Sequence, residues 1–162
     1  MKKILVPTDF SKYAENAARI AAQLAKKENA RIYFLHVVSM PIYETGIIPG
    51  QTMQDIDGGL LVLKHVKKKF KELFEMDFLE GVSVVEAIEY SGVFDNINEL
   101  AKKHEMDIIV MGSHGASGFI NDYLIGSNAD KVVRLSETPV LVVNDQPFDI
   151  ASVKRIVFAS DF

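Results

Sequence analysis

The chain has 162 residues, of which 48% are hydrophobic and 25% are charged, and its formal net charge at pH 7 is −4. That length suits one domain with a well-buried core, since a domain of this size hides about 70% of the surface of its unfolded chain. The negative net charge argues against a nucleic-acid surface, which needs clustered Lys and Arg to neutralise phosphates. The sequence contains no cysteine, so a disulfide framework and thiolate metal sites are excluded.

No stretch of the sequence approaches the roughly 20 apolar residues of a membrane span. The apolar run at the N-terminus stops at Pro7-Thr8-Asp9, which is too short for an export signal. We therefore expect a cytoplasmic protein. The one dense basic run, residues 64–71, follows a helical pattern and is typical of a solvated helix face.

The first half of the chain predicts two strands and two helices. Ile4-Leu5-Val6 predicts a strand buried on both faces. Ser11 is a good N-cap for a following helix whose apolar positions are mostly alanine, small enough to lie close to a sheet. Residues 31–38 (RIYFLHVV) predict the second strand. Residues 39–57, rich in Pro and Gly, predict a long loop of the kind that often binds a ligand or forms a lid, and residues 60–78 predict a helix.

The second half continues the same alternation. Strands are predicted at residues 82–88, 107–111 and 139–143, and helices at residues 93–104 and 128–135. Strands that alternate with helices throughout indicate an α/β domain with a mostly parallel sheet covered by helices on both faces.

The C-terminal residues repeat the N-terminal pattern. Residues 154–162 (KRIVFASDF) and residues 2–10 (KKILVPTDF) share a basic pair, an apolar strand, a hydroxyl residue, Asp and Phe at the same offsets. A period this long fits tandem domains better than a short-repeat solenoid. We therefore predict a domain over residues 1–144, a linker over 145–153 and the first strand of a second copy over 154–162. Chance similarity between two strands is the alternative.

The residues that follow the first and fourth predicted strands are the candidate binding groups. Ligands of open α/β sheets bind outside the carboxyl ends of the strands, where the winding reverses. If these two strands are neighbours there, Asp9 and the loop Gly112-Ser113-His114-Gly115 face one crevice. Glycines in this loop and at Gly126 would let backbone amides approach phosphate oxygens and would permit positive φ. A helix beginning near Ser127 offers N–H groups to an anion, and Asp9 can accept hydrogen bonds from a ribose or a metal-bound water.

Other interpretations of these residues stay open. The glycines can serve tight turns alone, and the segment from Ser127 to Asp130 resembles a capping box in which Ser127 only caps a helix. His114 has no Ser-His-Asp order or nucleophile-elbow pattern around it. The four histidines form no readable metal cluster, and His36, within a strand, is typical of a hydrogen-bonded core residue. The P-loop and GxGxxG motifs are missing, which argues against a P-loop NTPase and a dinucleotide oxidoreductase.

The chain resembles the universal stress protein family over essentially its whole length, and five segments carry the resemblance. They are ILVPTDFS at residues 4–11, LHVV at residues 35–38, and MGSHGASG, GSNADKVV and TPVLVV between residues 111 and 143. Nucleotide-binding members of the family share G-x2-G-x9-G-[S/T]. The resemblance implies an open five-stranded parallel sheet, Rossmann-like and similar to the adenine nucleotide alpha hydrolases. It also implies ATP binding in many members, dimerisation through the last strand, and a role in stress response.

Carried over onto this chain, the resemblance implies a site for ATP, with or without Mg²⁺. It places Pro7, Thr8 and Asp9 near the adenosine, and the backbone of Val37 at the adenine edge. The residues that would line the ribose and phosphates are Met111, Gly112, His114, Gly115, Gly126, Ser127 and Asn128. We assign no catalytic residue and no protein ligand for a metal.

The spacing of the glycine loop departs from the family pattern by one residue. Ten residues, 116–125, separate Gly115 from Gly126, where the pattern has nine. One residue adds up to about 3.5 Å of chain. Phosphate contacts therefore survive only if the extra residue is absorbed near Gly118, away from Gly126 and Ser127.

The leading hypothesis is an ATP-binding stress-response switch rather than a fast enzyme, because no residue stands out as a general base and any hydrolysis should be slow. The alternative is a dimerisation or protein-interaction module on the same fold that binds no nucleotide. An adenylyl-transferring enzyme of the related α/β class is disfavoured because its H-x-G-H motif is absent. Residues 139–143 would form an exposed apolar edge strand, which invites pairing with another chain, so we predict a homodimer through this strand.

Overall fold

The computed structural model describes residues 1–38, 53–90, 92–115, 126–146 and 149–155, with the backbone alone at residues 53–58 and 151. The strands in this part of the chain are β1 (Lys3–Pro7), β2 (Arg31–Val38), β3 (Ser83–Tyr90), β4 (Ile108–Gly112) and β5 (Val140–Val143). The α-helices are α1 (Lys12–Glu28), α2 (Met53–Phe74), α3 (Val93–Lys103) and α4 (Ser127–Leu135). Short 3₁₀ turns lie at Asp77–Leu79 and Ile150–Ser152.

The five strands form one parallel sheet in the order β3-β2-β1-β4-β5. The chain winds from β1 outward through β2 to β3, then crosses back and continues from β4 to β5 on the other side of β1. The winding direction therefore reverses between β1 and β4, which pair directly through Ile4 with Ile108 and Leu5 with Ile109. The predicted α/β architecture is confirmed, and so is the expectation that the first and fourth strands are neighbours.

Helices cover both faces of the sheet, because alternate side chains of each buried strand point to opposite faces. Ile4 and Val6 pack with residues of α1 and α2 on one face. Leu5 packs with residues of α3 and α4 on the other. All three side chains are fully buried, which explains why β1 is apolar at every central position.

Helix α1 follows the predicted pattern closely. The side-chain oxygen of Ser11 accepts a hydrogen bond from the amide of Ala14 at 3.3 Å, so Ser11 is the N-cap. The buried face of the helix contains Ile20 and six alanines, Ala14, Ala17, Ala18, Ala21, Ala22 and Ala25. These short side chains let the helix axis lie close to the central strands.

Several predicted boundaries differ from the structure. Helix α2 begins at Met53 and ends at Phe74, so the prediction of loop at residues 53–57 was wrong, and Phe78 lies in the following 3₁₀ turn. Gly58 argued for a loop, but a glycine costs a helix only about 1 kcal/mol. Later turns of α2 offset that cost because Phe70 is buried in the core. The other predicted ends match the structure or differ from it by one or two residues, and β2 matches at both ends. Residues 39–52, the rest of the predicted loop, lie outside the described residues.

Part of the predicted linker contacts the domain. The backbone N–H of Ile150 donates to the side-chain oxygen of Gln23 in α1 at 2.8 Å, and the side chain of Ile150 packs against the core. Residues 156–162, most of the predicted second-copy strand, lie outside the described residues. Among the helices that the structure describes, none combines the length and the apolar character needed to cross a membrane.

Asp107 joins the beginnings of β1 and β4. Its Oδ2 atom accepts hydrogen bonds from the backbone amides of Lys2 at 2.6 Å and Lys3 at 2.9 Å. The bond from Lys2, followed by the bond from Lys3, holds the pKa of the Asp107 carboxyl below its ordinary value. The carboxylate therefore stabilises the pairing of the two central strands in its ionised form.

We expect Asp107→Ala to lower the free energy of unfolding at neutral pH by less than about 1 kcal/mol, since the carboxylate is exposed and water screens it. A lowered folded-state pKa means that this contribution is present above the ordinary aspartate pKa of about 3.9 and is lost as the pH falls through the lower folded value. Urea unfolding from about pH 7 to about pH 2 should show the wild-type and variant curves converging at the acid end. The exposed Asp145 supplies the control variant Asp145→Ala. A wild-type-to-variant difference that is constant with pH would contradict this account.

Candidate functional site

The carboxyl ends of β1 and β4 bring two short loops together. Thr8 and Asp9 follow β1, and Ser113 to Gly115 follow β4. Since β1 and β4 are hydrogen-bonded neighbours, both loops leave the same edge of the sheet at the point where the winding reverses. Such a point is where open α/β sheets bind ligands.

The loop after β1 is held by its own side chains. The Thr8 hydroxyl oxygen accepts a hydrogen bond from the amide of Phe10 at 3.0 Å, and Asp9 Oδ1 accepts one from the amide of Ser11 at 3.0 Å. Ser11 in turn caps α1. The short polar side chains of Thr8, Asp9 and Ser11 thus bind backbone amides two or three residues ahead. This arrangement leaves the Asp9 side chain exposed at the edge of the sheet.

Asp9 and Gly115 lie in contact across the crevice. A Cβ atom built on Gly115 would stand 2.8 Å from Asp9 Oδ2, closer than real Cβ contacts come. The missing side chain at Gly115 is therefore what allows the carboxylate to lie beside the backbone of the second loop. The two candidate loops therefore lie side by side at this edge of the sheet.

Gly112 and Gly126 have packing reasons that the sequence did not reveal. A Cβ on Gly112 would lie 2.8 Å from the backbone carbon of Tyr13, so this glycine lets the first turn of α1 approach β4. A Cβ on Gly126 would lie 3.1 Å from the carbonyl oxygen of Ser113. None of the three site glycines has positive φ, which the structure shows among the described glycines only at Gly81 and Gly92. The site glycines thus do not adopt the positive φ that we expected of them. What the structure requires at these positions is the absence of a side chain.

Helix α4 begins at the crevice with Gly126 as its N-cap residue. The amide of Gly126 donates to Ser113 O at 2.8 Å, and its carbonyl accepts from Asp130 at 2.9 Å. Ser127 is therefore the first helical residue, and the alternative in which it caps the helix is wrong. No side chain caps the helix at Gly126, while Ser127 and Asn128 are exposed. Their backbone N–H groups lie in the first turn, where helices have no internal acceptor.

His114 is half-buried and held by two neighbours. Its Nδ1 atom lies 3.0 Å from the Ser113 hydroxyl oxygen, and its ring centroid lies 5.1 Å from that of Tyr13. The side chain of Ser113 is itself buried, and its amide donates to Val143 O at 2.7 Å. These contacts fix the loop after β4 against both α1 and β5.

The remaining predicted site residues lie at the ends of the same strands. Pro7 is the last residue of β1 and pairs with Leu35. Val37, near the end of β2, is half-buried and packs on the face covered by α3 and α4. Met111 is buried, with 6% of its surface exposed. The predicted site residues thus gather along the carboxyl edges of β2, β1 and β4.

Sequence reasoning missed the contribution of Tyr13, Ser113 and Phe10. Tyr13 lies under Gly112, Ser113 anchors Gly126, and Phe10 has a left-handed backbone with φ of 61°. No sequence signal distinguishes these positions, because each acts through a contact with a residue remote in the chain. Within residues 1–38, 59–90, 92–115, 126–146, 149, 150 and 152–155, no three His, Asp or Glu residues are grouped in a way that could hold a metal ion.

Comparison with known proteins identifies the family of this chain. The model of the universal stress protein family matches residues 1–144. Universal stress protein MJ0531 of Methanocaldococcus jannaschii is 33% identical over 151 residues, covering 88% of this chain and 81% of the relative. Universal stress protein YxiE of Bacillus subtilis is 31% identical over 152 residues, covering 87% of this chain and 97% of the relative.

Solved structures share the same fold. The universal stress protein UspA from Lactobacillus plantarum superposes with a TM-score of 0.69 at 27% identity, covering 88% of this chain and 97% of that one. The chain belongs to the universal stress protein family.

Proposed function

We propose that the protein binds ATP in the crevice between β1 and β4 and acts as a nucleotide-dependent switch in a stress response, with slow hydrolysis at most. The observation that carries the proposal is the contact of Asp9 with Gly115, which joins the two loops at the reversal point of the sheet beside the first turn of α4. The carboxylate matches the ribose of a nucleotide, and the helix-terminal amides match its anionic phosphates. Both groups lie at one crevice.

The ribose end is assigned to Asp9. An ionised carboxylate accepts hydrogen bonds only, and the two ribose hydroxyls are donors of the matching kind. Asp9 Oδ1 already accepts from the amide of Ser11, which sets the orientation of the carboxylate before ligand arrives. Thr8 and the backbone of Val37 would then lie toward the base.

The phosphate end is assigned to the first turn of α4. The N–H groups of Ser127 and Asn128, with the positive end of the helix dipole, favour a phosphate. The amide of Gly126 is not one of these donors, because it is bound to Ser113 O. That bond instead holds the helix terminus against the loop after β4.

The same bond bears on the extra residue of the glycine loop. Gly126 is held at 2.8 Å from Ser113 O despite the ten-residue spacing. This supports phosphate contacts at Ser127, since the start of α4 lies against the loop after β4, and residues 116–125 lie outside the described residues.

Two further structures of this fold hold adenine nucleotides. One is a universal stress protein in complex with cAMP, with a TM-score of 0.58 and 23% identity, covering 90% of this chain and 98% of that one. The other is a universal stress protein from Archaeoglobus fulgidus in complex with dAMP, with a TM-score of 0.55 and 22% identity, covering 88% and 98%. At these identities they share the fold only, so the proposal for this chain rests on its own crevice.

We also propose that the protein forms a homodimer through β5. β5 lies at the edge of the sheet. The backbone oxygen of Pro139 accepts a hydrogen bond from Ile109 of β4, and that of Val143 accepts one from Ser113, directly after β4. Polar backbone groups alternate in direction along a strand, so those of Val140 and Val142 face the open edge. Val133 and Leu135 of the neighbouring α4 are also exposed.

A cytoplasmic location and a second domain beginning near residue 154 remain part of the proposal.

Nucleotide binding is tested by calorimetric titration with Mg-ATP and, separately, with adenosine. Asp9→Asn should weaken both ligands about tenfold, since the variant loses a charged acceptor for the ribose. Ser127→Pro should weaken ATP about tenfold and leave adenosine unchanged. Proline is favoured at the first helical position and removes only an N–H and a hydroxyl there, and the extended backbone of Gly126 (φ −60°, ψ 149°) accommodates a following proline.

Ser127→Ala is the matched control, because it removes the hydroxyl and keeps the N–H. Its ATP affinity should stay closer to wild type than that of Ser127→Pro. If the wild type gives no binding heat at millimolar ATP, nucleotide binding is refuted. The alternative, a protein-interaction module that binds no nucleotide, would then be the function favoured for this fold.

Dimerisation is tested by light scattering of the wild type and of Val142→Pro. Proline is tolerated on an edge strand where its N–H would face solvent, so the variant should fold and yet lose a donor of the proposed strand pairing. We expect a dimer for the wild type and a monomer for the variant. Val142→Thr keeps the N–H and the branched shape and should remain dimeric. A monomeric wild type at crystallisation concentrations would refute the dimer.

A further inference from the structure

Phe10 adopts a backbone conformation that its position in the fold does not explain. Three non-glycine residues have positive φ in the described part of the chain: Phe10 at 61°, Asn29 at 51° and Glu105 at 51°. Asn29 is the C-cap of α1, and Glu105 directly follows the C-cap of α3. A left-handed residue is ordinary at a helix C-terminus. Phe10 instead precedes α1, and a bulky residue in this conformation needs surrounding contacts to hold it.

Two aromatic rings hold the side chain of Phe10. Its ring centroid lies 4.8 Å from that of His36 and 5.2 Å from that of Phe70, the latter in an edge-on arrangement. Phe70 is fully buried. The Phe10 ring thus lies between the second strand and helix α2, and its amide is bound to the Thr8 hydroxyl.

His36 also binds the backbone of the loop after β1. Its Nδ1 atom lies 2.8 Å from the carbonyl oxygen of Thr8. A carbonyl oxygen only accepts, so Nδ1 must carry the hydrogen. The amide of Thr8 donates to Leu35 O at 2.8 Å. Thr8 is the first residue after β1. Its backbone N–H and carbonyl are therefore bound by Leu35 and His36, two consecutive residues of β2.

These contacts converge on Asp9. Thr8 before it is bound to β2, Phe10 after it is held by His36, and Asp9 Oδ1 accepts from Ser11. With the backbone held on both sides, the carboxylate is placed with Oδ2 beside Gly115. The side chain of His36 takes part on both sides of Asp9, through the Thr8 carbonyl and through the Phe10 ring.

We propose that His36 is a positioning residue of the nucleotide site. By donating from Nδ1 to the Thr8 carbonyl and packing against Phe10, it holds Asp9 at the crevice beside Gly115. This inference rests on the proposed function for its consequence in binding, while the positioning itself exists in the protein without nucleotide. From the sequence, His36 was interpreted as a hydrogen-bonded core residue. The hydrogen bond is present, but the sequence did not indicate that it positions the loop after β1.

The tautomer of His36 tests the positioning without any ligand. In the nucleotide-free wild type, long-range ¹H–¹⁵N correlation at a pH where the ring is neutral should show the hydrogen on Nδ1. An Nε2–H tautomer would overturn the proposal. In His36→Leu the amide resonance of Gly115 should shift, whereas in His36→Asn, whose Nδ2 takes the place of Nδ1, it should stay near its wild-type position.

The consequence for binding is tested with the same two variants. His36→Leu should weaken ATP and adenosine about tenfold each, the effect of losing one positioning hydrogen bond, and His36→Asn should bind within about threefold of the wild type. If the substitutions acted only by lowering the stability of the fold, both variants would lose nucleotide affinity equally. Equal losses would therefore overturn the positioning role. If the wild type binds no nucleotide, the proposed function fails alone, because the tautomer and the amide shifts still decide whether His36 holds the loop.

Discussion

The reversal of winding between β1 and β4 is the constraint on which the rest of this molecule depends. The two strands pair directly, but the chain leaves β1 toward β2 and leaves β4 toward β5. Two connections that depart in opposite directions leave a gap above their strands. In this chain the residues that border the gap are a short carboxylate on one side and a glycine on the other, and the contact of Asp9 with Gly115 follows from that pairing.

Close approach of helix α1 to the sheet supports the same arrangement. Its buried face is mostly alanine, and Gly112 lets the backbone of Tyr13 come against β4. Tyr13 in turn lies against the ring of His114. The small residues of α1 and β4 therefore bring the first turn of the helix and the loop after β4 within contact distance. Packing in the core thus determines where the candidate binding groups lie.

Local patterns in the sequence were enough for the fold, whereas the full set of candidate site residues came from the resemblance to the universal stress protein family. Apolar runs of strand length alternated with helical periodicity, and Ser11 was recognisable as an N-cap. The start of α2 at Met53 was not recognisable, since Gly58 counted as a loop signal and the turns that stabilise the helix lie further along the chain. The left-handed backbone of Phe10 and the use of Gly112 also could not be predicted. Both depend on contacts with residues remote in sequence, namely His36 and Tyr13.

The central claim is that nucleotide occupies the carboxyl-end crevice between β1 and β4. Backbone amide NMR during a titration with Mg-ATP tests it most directly, because each amide reports its own position. The account predicts saturable shifts that are largest at Asp9, Gly115 and Ser127, with little change at Lys3, Arg31 and Asp107 at the amino ends of the strands. Shifts confined to the amino ends, or none at saturating nucleotide, would contradict it.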